Sequence, residues 1–353
     1  MAISAVSVRD FVANGNEDDI EGAPSHPIDQ GKFSDSDQLW FRKTMECERI
    51  ARLEVLAQEF FRLLMPNQPE TRLGEDESTG LSYVLSQAVP RFHSLPRNQK
   101  QKFTNGAYRG LGLILIIAIF LQEIDLRNTN LGLNDNNEVI KIDGDWCFAA
   151  LRDPSAWADQ PRDISPELID SLPYPMGIHT YHWIGLVKNS LAQVDSEYVN
   201  PAELSHTPHF RAEINQAILQ ILLTPEDYLT AFVETFIEEE AYLHLDFMLA
   251  RTLQLKESAL HNESFREYLA SEQALIDAEA HLQRIKCFET HGNTPIISQD
   301  CHSTIGTIVH QQLRELRQSV LVAPIESPLS LSQTIEPGNQ NLHGYQRISH
   351  LDF

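Results

Sequence analysis

The chain has 353 residues, 42% of them hydrophobic, which is ample for a sizeable core in one large domain or two modest ones. Its formal net charge of −23, from 27 basic and 50 acidic residues, argues against non-specific binding to nucleic acid or to an anionic membrane, but leaves room for a local basic pocket. Cys47, Cys147, Cys287 and Cys301 form no C-x-x-C pair, which argues against a zinc ribbon or a disulfide framework and predicts reduced thiols.

The first twenty residues carry Arg9, Asp10, Glu17, Asp18 and Asp19 and no continuous apolar run, so no secretory signal peptide is expected. Residues 1–36 are rich in Gly, Asp, Asn, Ser and Pro and read as a mostly irregular segment, with a strand turn at Gly31–Lys32. Gln38–Lys43 reads as a strand ending in two cations. From Glu48 to Met65, Ile50, Leu53, Leu56, Ala57, Phe60, Phe61 and Leu64 recur at three- and four-residue intervals, which predicts a helix stopped by Pro66. Strands are expected at Thr71–Leu73 and Leu81–Val89, around an acidic turn. Residues 37–90 therefore read as a small α+β unit.

Residues 91–105 read as a linker, followed by a helix over 106–122. Its apolar stretch Leu111–Leu121 is shorter than the about 20 residues that span a bilayer, so it reads as a buried helix and no transmembrane segment is expected. A polar loop with Asp125, Arg127 and Asn130 comes next, then a turn at Asn134–Asn137 and an apolar strand, Val139–Ile142, that delivers Asp143. Cys147–Pro175 is a proline-rich loop. The remainder is mostly helical: Glu213–Leu223, a helix from the Thr224 cap and Pro225 to about Glu257, Ser264–Cys287, and Thr304–Val322. Residues 323–353 read as a disordered tail. His179-x-x-His182 and His206-x-x-His209 have neither a cysteine partner nor an H-E-x-x-H frame and read as loop histidines.

Chemistry concentrates between Ile124 and Trp146. Asn130 lies five residues after Asp125, and Asp143 thirteen after Asn130. That is the spacing by which protein kinases set out a catalytic base, a metal-binding amide and a metal-binding carboxylate. Phosphoryl transfer needs a positioned phosphate, charge neutralisation by divalent metal, and an aligned acceptor. Asp125 is placed to take the acceptor's proton, while the oxygens of Asn130 and Asp143 suit hard cations such as Mg2+ or Mn2+. Arg127 could reach the transferring group. The competing reading is local: Asp125 and Asn130 cap turns, and Asp143–Gly144 ends a strand.

The segment D-L-R-N-T-N…I-K-I-D-G-D-W-C-F resembles the catalytic and metal loops of HipA-type kinases and of type II phosphatidylinositol 4-kinases, the latter also having a Phe where Phe148 stands. Upstream, F-R-K, R-L-E-V-L-A-Q-E-F-F-R-L-L-M-P and Q-P-E-T-R resemble the small lobe of such enzymes. Similar wording occurs in kinase-like effectors that intracellular bacteria inject into host cells through a type IV system. The resemblance covers roughly residues 38–150. It implies ATP binding, with Lys43 on the α- and β-phosphates and Glu54 holding Lys43 from the helix. Glu59 is the alternative partner, about 140° round the helix from Glu54, and Arg42 the rival of Lys43.

It further implies an α+β, two-lobed protein-kinase-like fold. The small lobe spans 37–95 and is reduced; the large lobe spans 96–322, is mostly helical and carries the catalytic and metal loops. The expected activity is ATP- and metal-dependent phosphotransfer to a protein, a phosphoinositide or a small alcohol, in a host cytosol and with a host activator conceivable. Against it, no G-x-G-x-x-G loop precedes Lys43, Glu123-Ile124 stands where protein kinases have His-Arg, and Asp143-Gly144 lacks the Phe of D-F-G. A nucleotide-binding module without phosphotransfer, transfer of AMP, and a helical interaction protein stay open as alternatives.

Overall fold

Six strands build the sheet that carries Lys43: β1 (Val6–Ser7), β2 (Phe11–Ala13), β3 (Ile28–Phe33), β4 (Leu39–Thr44), β5 (Thr71–Asp76) and β6 (Leu81–Gln87), in spatial order β1-β5-β6-β4-β3-β2. The computed structural model describes residues 3–14, 26–126, 128–153, 163–173 and 197–322. Pairing is antiparallel except between β1 and β5. Residues 1–36, expected to be mostly irregular, contribute three of these strands. Those strands are two to six residues long, too short for periodicity to show, and their pairing comes from across the sheet. Gly31 lies inside β3 rather than in a turn, and it is a glycine where β2 crosses so close that a Cβ would clash with Val12 O.

Successive side chains of β4 point to opposite faces. Trp40 faces outward and is buried with Val8, Phe11, Tyr83 and Leu85 in a small separate core. Arg42 shares that face; it pairs with Asp29 at 2.6 Å and stacks over the rings of Phe11 and Tyr83. Lys43 points the other way, towards helix α1 (Glu48–Leu64). α1 is buried along nearly its whole length between the sheet and the helices that follow.

The expected linker holds strand β7 (His93–Ser94) and helix α2 (Lys100–Thr104). Helix α3 (Leu111–Phe120) is apolar on every side and almost wholly buried, as a helix in the middle of a core must be. Its unsatisfied backbone groups are met by opposite charges at its two ends. The N–H groups of Gly110 and Gly112 donate to the Glu213 carboxylate at 2.7 and 2.9 Å. At the other end the Arg251 guanidinium donates to Phe120 O at 2.8 Å and to Ile119 O at 2.6 Å. Burial pushes the Glu213 carboxyl up, and the two N–H bonds oppose that shift.

α3 is followed by a short three-stranded sheet, β7-β8-β9, with β8 at Leu131–Leu133 and β9 at Val139–Lys141. The turn between β8 and β9 is held by Asn134 Oδ1, which accepts from Asn136 N–H and Glu138 N–H. The loop expected over Cys147–Pro175 contains helices Ala149–Arg152 and Pro166–Ser171, the second capped by Ser165. The helix expected from Thr224 to Glu257 is two, Glu226–Phe236 and Ala241–His261, broken where Glu240 takes a left-handed conformation. Thr224 does not cap the first; its hydroxyl bonds Gln220 O at 2.9 Å. Ser264–Cys287 is likewise split at Ser271, which caps the second piece. Pro208–Leu222 and His302–Val322 complete the helices named by sequence. His209 holds Phe103 O at 2.7 Å, while His179, His182 and the 323–353 tail lie outside the described residues.

Arg251→Met would leave two buried carbonyls at the end of α3 without their charged donor. A loss of about 1–3 kcal/mol in urea-denaturation stability is expected. An unchanged midpoint would remove Arg251 from its capping role.

Candidate active site

Lys43 Nζ sits among three carboxylates. It lies 3.1 Å from Glu54 Oε2, 3.0 Å from Asp143 Oδ1 and 3.3 Å from Asp145 Oδ2. Glu54 comes from the buried face of α1, and Asp143 and Asp145 from the turn that leaves β9. Between the aspartates Gly144 packs against α1, where a Cβ would meet the Gln58 side chain at 3.1 Å. Glu59 is not the partner of Lys43: its carboxylate takes Arg62 Nε at 3.0 Å and Thr71 N–H at 2.7 Å, on another face of the helix. Arg42 is no rival either, since it is committed to Asp29 on the outer face of the sheet.

Asn130 joins this turn to the loop before it. Its Nδ2 donates to Asp125 O at 3.1 Å, and its own carbonyl accepts from Ile142 N–H at 3.1 Å. The loop carrying Asp125, the amide of Asn130 and the residue before Asp143 are therefore neighbours. Asp125 is half-buried and its N–H donates to Glu123 Oε1 at 3.0 Å. Arg127 lies outside the described residues.

The residue that sequence reasoning missed is Asp145. It is 6% exposed and also lies 3.6 Å from His26 Nε2, just ahead of β3. The signal was present as the second Asp of D-G-D, two residues on from Asp143. Beneath the turn, Lys141 Nζ lies 3.1 Å from Glu123 Oε2, a second ion pair with both side chains buried.

Three carboxylates around one ammonium leave a surplus of negative charge in a poorly solvated place. Burial acts to lower the Lys43 pKa, but Glu54, Asp143 and Asp145 together hold it well above the usual lysine value. Burial pushes the Glu54 carboxyl up to about 7, further than the attraction of Lys43 can offset. Asp145 is raised by burial and by the charge of Asp143. Asp143 alone is lowered: burial works against it, but the cations of Lys43 and Lys141 prevail.

A divalent cation fits this donor set. The Asp143 carboxylate is 29% exposed against 2% for Glu54, so of the two it is Asp143 that can reach a ligand. Asp143 Oδ2 takes no protein hydrogen bond among the described residues, and the Asn130 amide offers a second oxygen from the same end of β8–β9. The buried Gln58 amide, one helical turn beyond Glu54 and against Gly144, has neither its oxygen nor its nitrogen bonded. Among the described residues no group of three or more His, Cys, Asp or Glu forms a metal cage.

The Glu54 shift has a consequence for stability. A carboxyl bound to its proton more tightly in the folded chain, at about 7 against 4.5, stabilises the fold below the lower value. That contribution disappears as pH rises through the upper one, and Asp145 acts in the same sense. In metal-free buffer the urea midpoint is expected to fall between about pH 5 and about pH 8. Glu54→Gln should flatten that slope; an equal slope in the variant would show that Glu54 keeps its ordinary pKa.

No protein-family model matches the chain, and no curated protein matches it. Among solved structures it is similar to a proinflammatory kinase of Helicobacter pylori, CtkA, at 10% identity and a TM-score of 0.41, over 72% of this chain and 95% of that one.

Proposed function

We propose that the chain is an ATP-dependent phosphotransferase that uses Mg2+ or Mn2+. The observation that carries this reading is one contact set. A strand lysine is gripped by a glutamate from the adjacent helix and by an aspartate 100 residues later in the chain. A purely structural Lys43–Glu54 ion pair would not require a second carboxylate, that of Asp143, 29% exposed and beside the loop that carries Asp125 and Asn130. ATP would supply the phosphoryl group, and the cation would screen the charge of its phosphates.

In this reading Lys43, fixed by Glu54, binds the α- and β-phosphates. Asp143 and Asn130 hold the metal, and Asp145 adds carboxylate charge beside it. Asp125 orients the acceptor hydroxyl and takes its proton, with Arg127 near the transferring group. The six-stranded sheet and α1 serve as the small lobe, extended at its N-terminal edge beyond residue 37, and the helices after residue 96 as the large one. The acceptor is a protein, a phosphoinositide or a small alcohol. Delivery into a host cell and a host activator rest on the resemblance of residues 38–150 to injected kinase-like effectors.

Purified chain incubated with ATP labelled on the γ-phosphate and Mg2+ or Mn2+ is expected to transfer label to itself or to a component of host extract. Asp143→Ala should reduce transfer on the order of 100-fold or more while circular dichroism stays unchanged. Asp300→Ala, at an exposed distant position, should leave it intact. Full transfer by Asp143→Ala would sink the assignment. A thermal shift with ATP and metal but no turnover would identify a binding module, and label transferred only from the α-phosphate would identify an AMP transferase.

A further inference from the structure

Glu123 stands two residues before Asp125, and Lys141 two residues before Asp143. Their side chains meet at 3.1 Å, with 3% and 0% exposure. Glu123 spends its oxygens on both sides of the site: Oε1 accepts the N–H of Asp125 at 3.0 Å, and Oε2 takes Lys141. The buried Cys147 thiol donates to the same Oε2 at 3.1 Å. Lys141 is fixed in turn. Its N–H donates to Gln68 Oε1 at 2.8 Å, Gln68 Nε2 donates to Val139 O at 3.2 Å, and its ammonium lies 5.1 Å from the centre of the Phe61 ring on α1. The Lys141 ammonium also helps to hold the Asp143 carboxyl ionised.

We propose that the Glu123–Lys141 pair is a positioning strut that locks the loop of Asp125 to the turn of Asp143. The two catalytic carboxylates then keep a fixed separation while ligands come and go. The inference rests on the phosphotransferase reading for its purpose. Stability alone is a poor reason for such a pair, because well-packed apolar residues of similar volume usually serve as well or better. What an apolar pair would not supply is a directional acceptor for Asp125 N–H and a fixed positive charge behind Asp143. Glu123 occupies the place where protein kinases have His, so the chain fills that position with a different chemistry.

The full chain is compared with Glu123→Gln, Lys141→Met and the double variant. Each single variant strands one buried charge, and both the urea midpoint and kcat should fall. The double variant removes both charges, so its midpoint should recover towards wild type. Its kcat should remain about 10-fold or more below wild type, with KM for ATP within about 3-fold. Its Mn2+ affinity, read by electron paramagnetic resonance, should fall by about 10-fold or more. A double variant with wild-type stability, kcat and Mn2+ affinity overturns the proposal. Glu123→Gln keeps an oxygen for Asp125 N–H and removes only the charge that pairs with Lys141; wild-type kcat and Mn2+ affinity in it likewise overturn the proposal. A wild-type chain that binds Mn2+ but transfers no phosphate sinks the phosphotransferase reading alone, because the Mn2+ affinities still decide the strut.

Discussion

One ammonium group, Lys43 Nζ, holds three segments of chain in register. Glu54 on α1 is 11 residues away and Asp143 is 100, with Asp145 just beyond. None of these carboxylates could be buried ionised without a cation beside it, and Lys43 could not be buried charged without them. The interaction therefore works as a test of the whole arrangement. The sheet must present the inner face of β4, α1 must bring Glu54 round to it, and β9 must end where Asp143 can reach. Because breaking one contact strands the others, the sheet, the helix and the turn are bound to a common geometry.

The turn reaches that place from a framework that α3 anchors in the core. A helix apolar on all sides can only sit in the core, and its two ends are fixed there by opposite charges, Glu213 at the first turn and Arg251 at the last. The chain leaves α3 directly into Gln122 and Glu123. Glu123 then binds Lys141, and Gln68 substitutes side-chain amide bonds for strand pairing along β9. The loop of Asp125 and the turn of Asp143 thus depend on the same buried framework, while the groups that could touch a ligand, Asp143 above all, stay partly open.

What sequence made legible was the part governed by short-range pattern. The periodicity of α1, the apolar run of α3 and the Asp125–Asn130–Asp143 spacing each survive as elements or neighbours in space. The preference for Glu54 over Glu59, and for Lys43 over Arg42, rests in the sequence on the resemblance alone and not on local pattern. The choice itself depends on which helix face meets the sheet and which strand face meets the helix, and both are set by packing. β1 and β2 were invisible because two or three residues carry no period and owe their conformation to β5 and β3. The helix breaks at Glu240 and Ser271 fall inside patterns that periodicity alone would continue. Asp145 went unseen for a different reason: strand-end turns are full of aspartates, and only its distance from Lys43 sets this one apart.

The surplus of negative charge also fixes how the site should respond to a cation. Glu54 is 2% exposed, and burial, with a smaller contribution from the charges of Asp143 and Asp145, carries its pKa to about 7, so it takes a proton near neutral pH. Asp143 is 29% exposed and held ionised by Lys43 and Lys141, so a cation bound there would relieve the same repulsion. The two remedies act on one electrostatic excess and must oppose each other. A cation at Asp143 stabilises the ionised form of Glu54 and draws its pKa down, and a proton on Glu54 weakens the field that attracts the cation. By linkage, cation affinity rises with pH through the range in which Glu54 loses its proton, and cation binding releases a fraction of a proton there. In the proposed phosphotransferase, Glu54 would thereby do more than hold Lys43: its protonation would set how much negative charge the Asp143 side of the site presents to a metal ion near neutral pH.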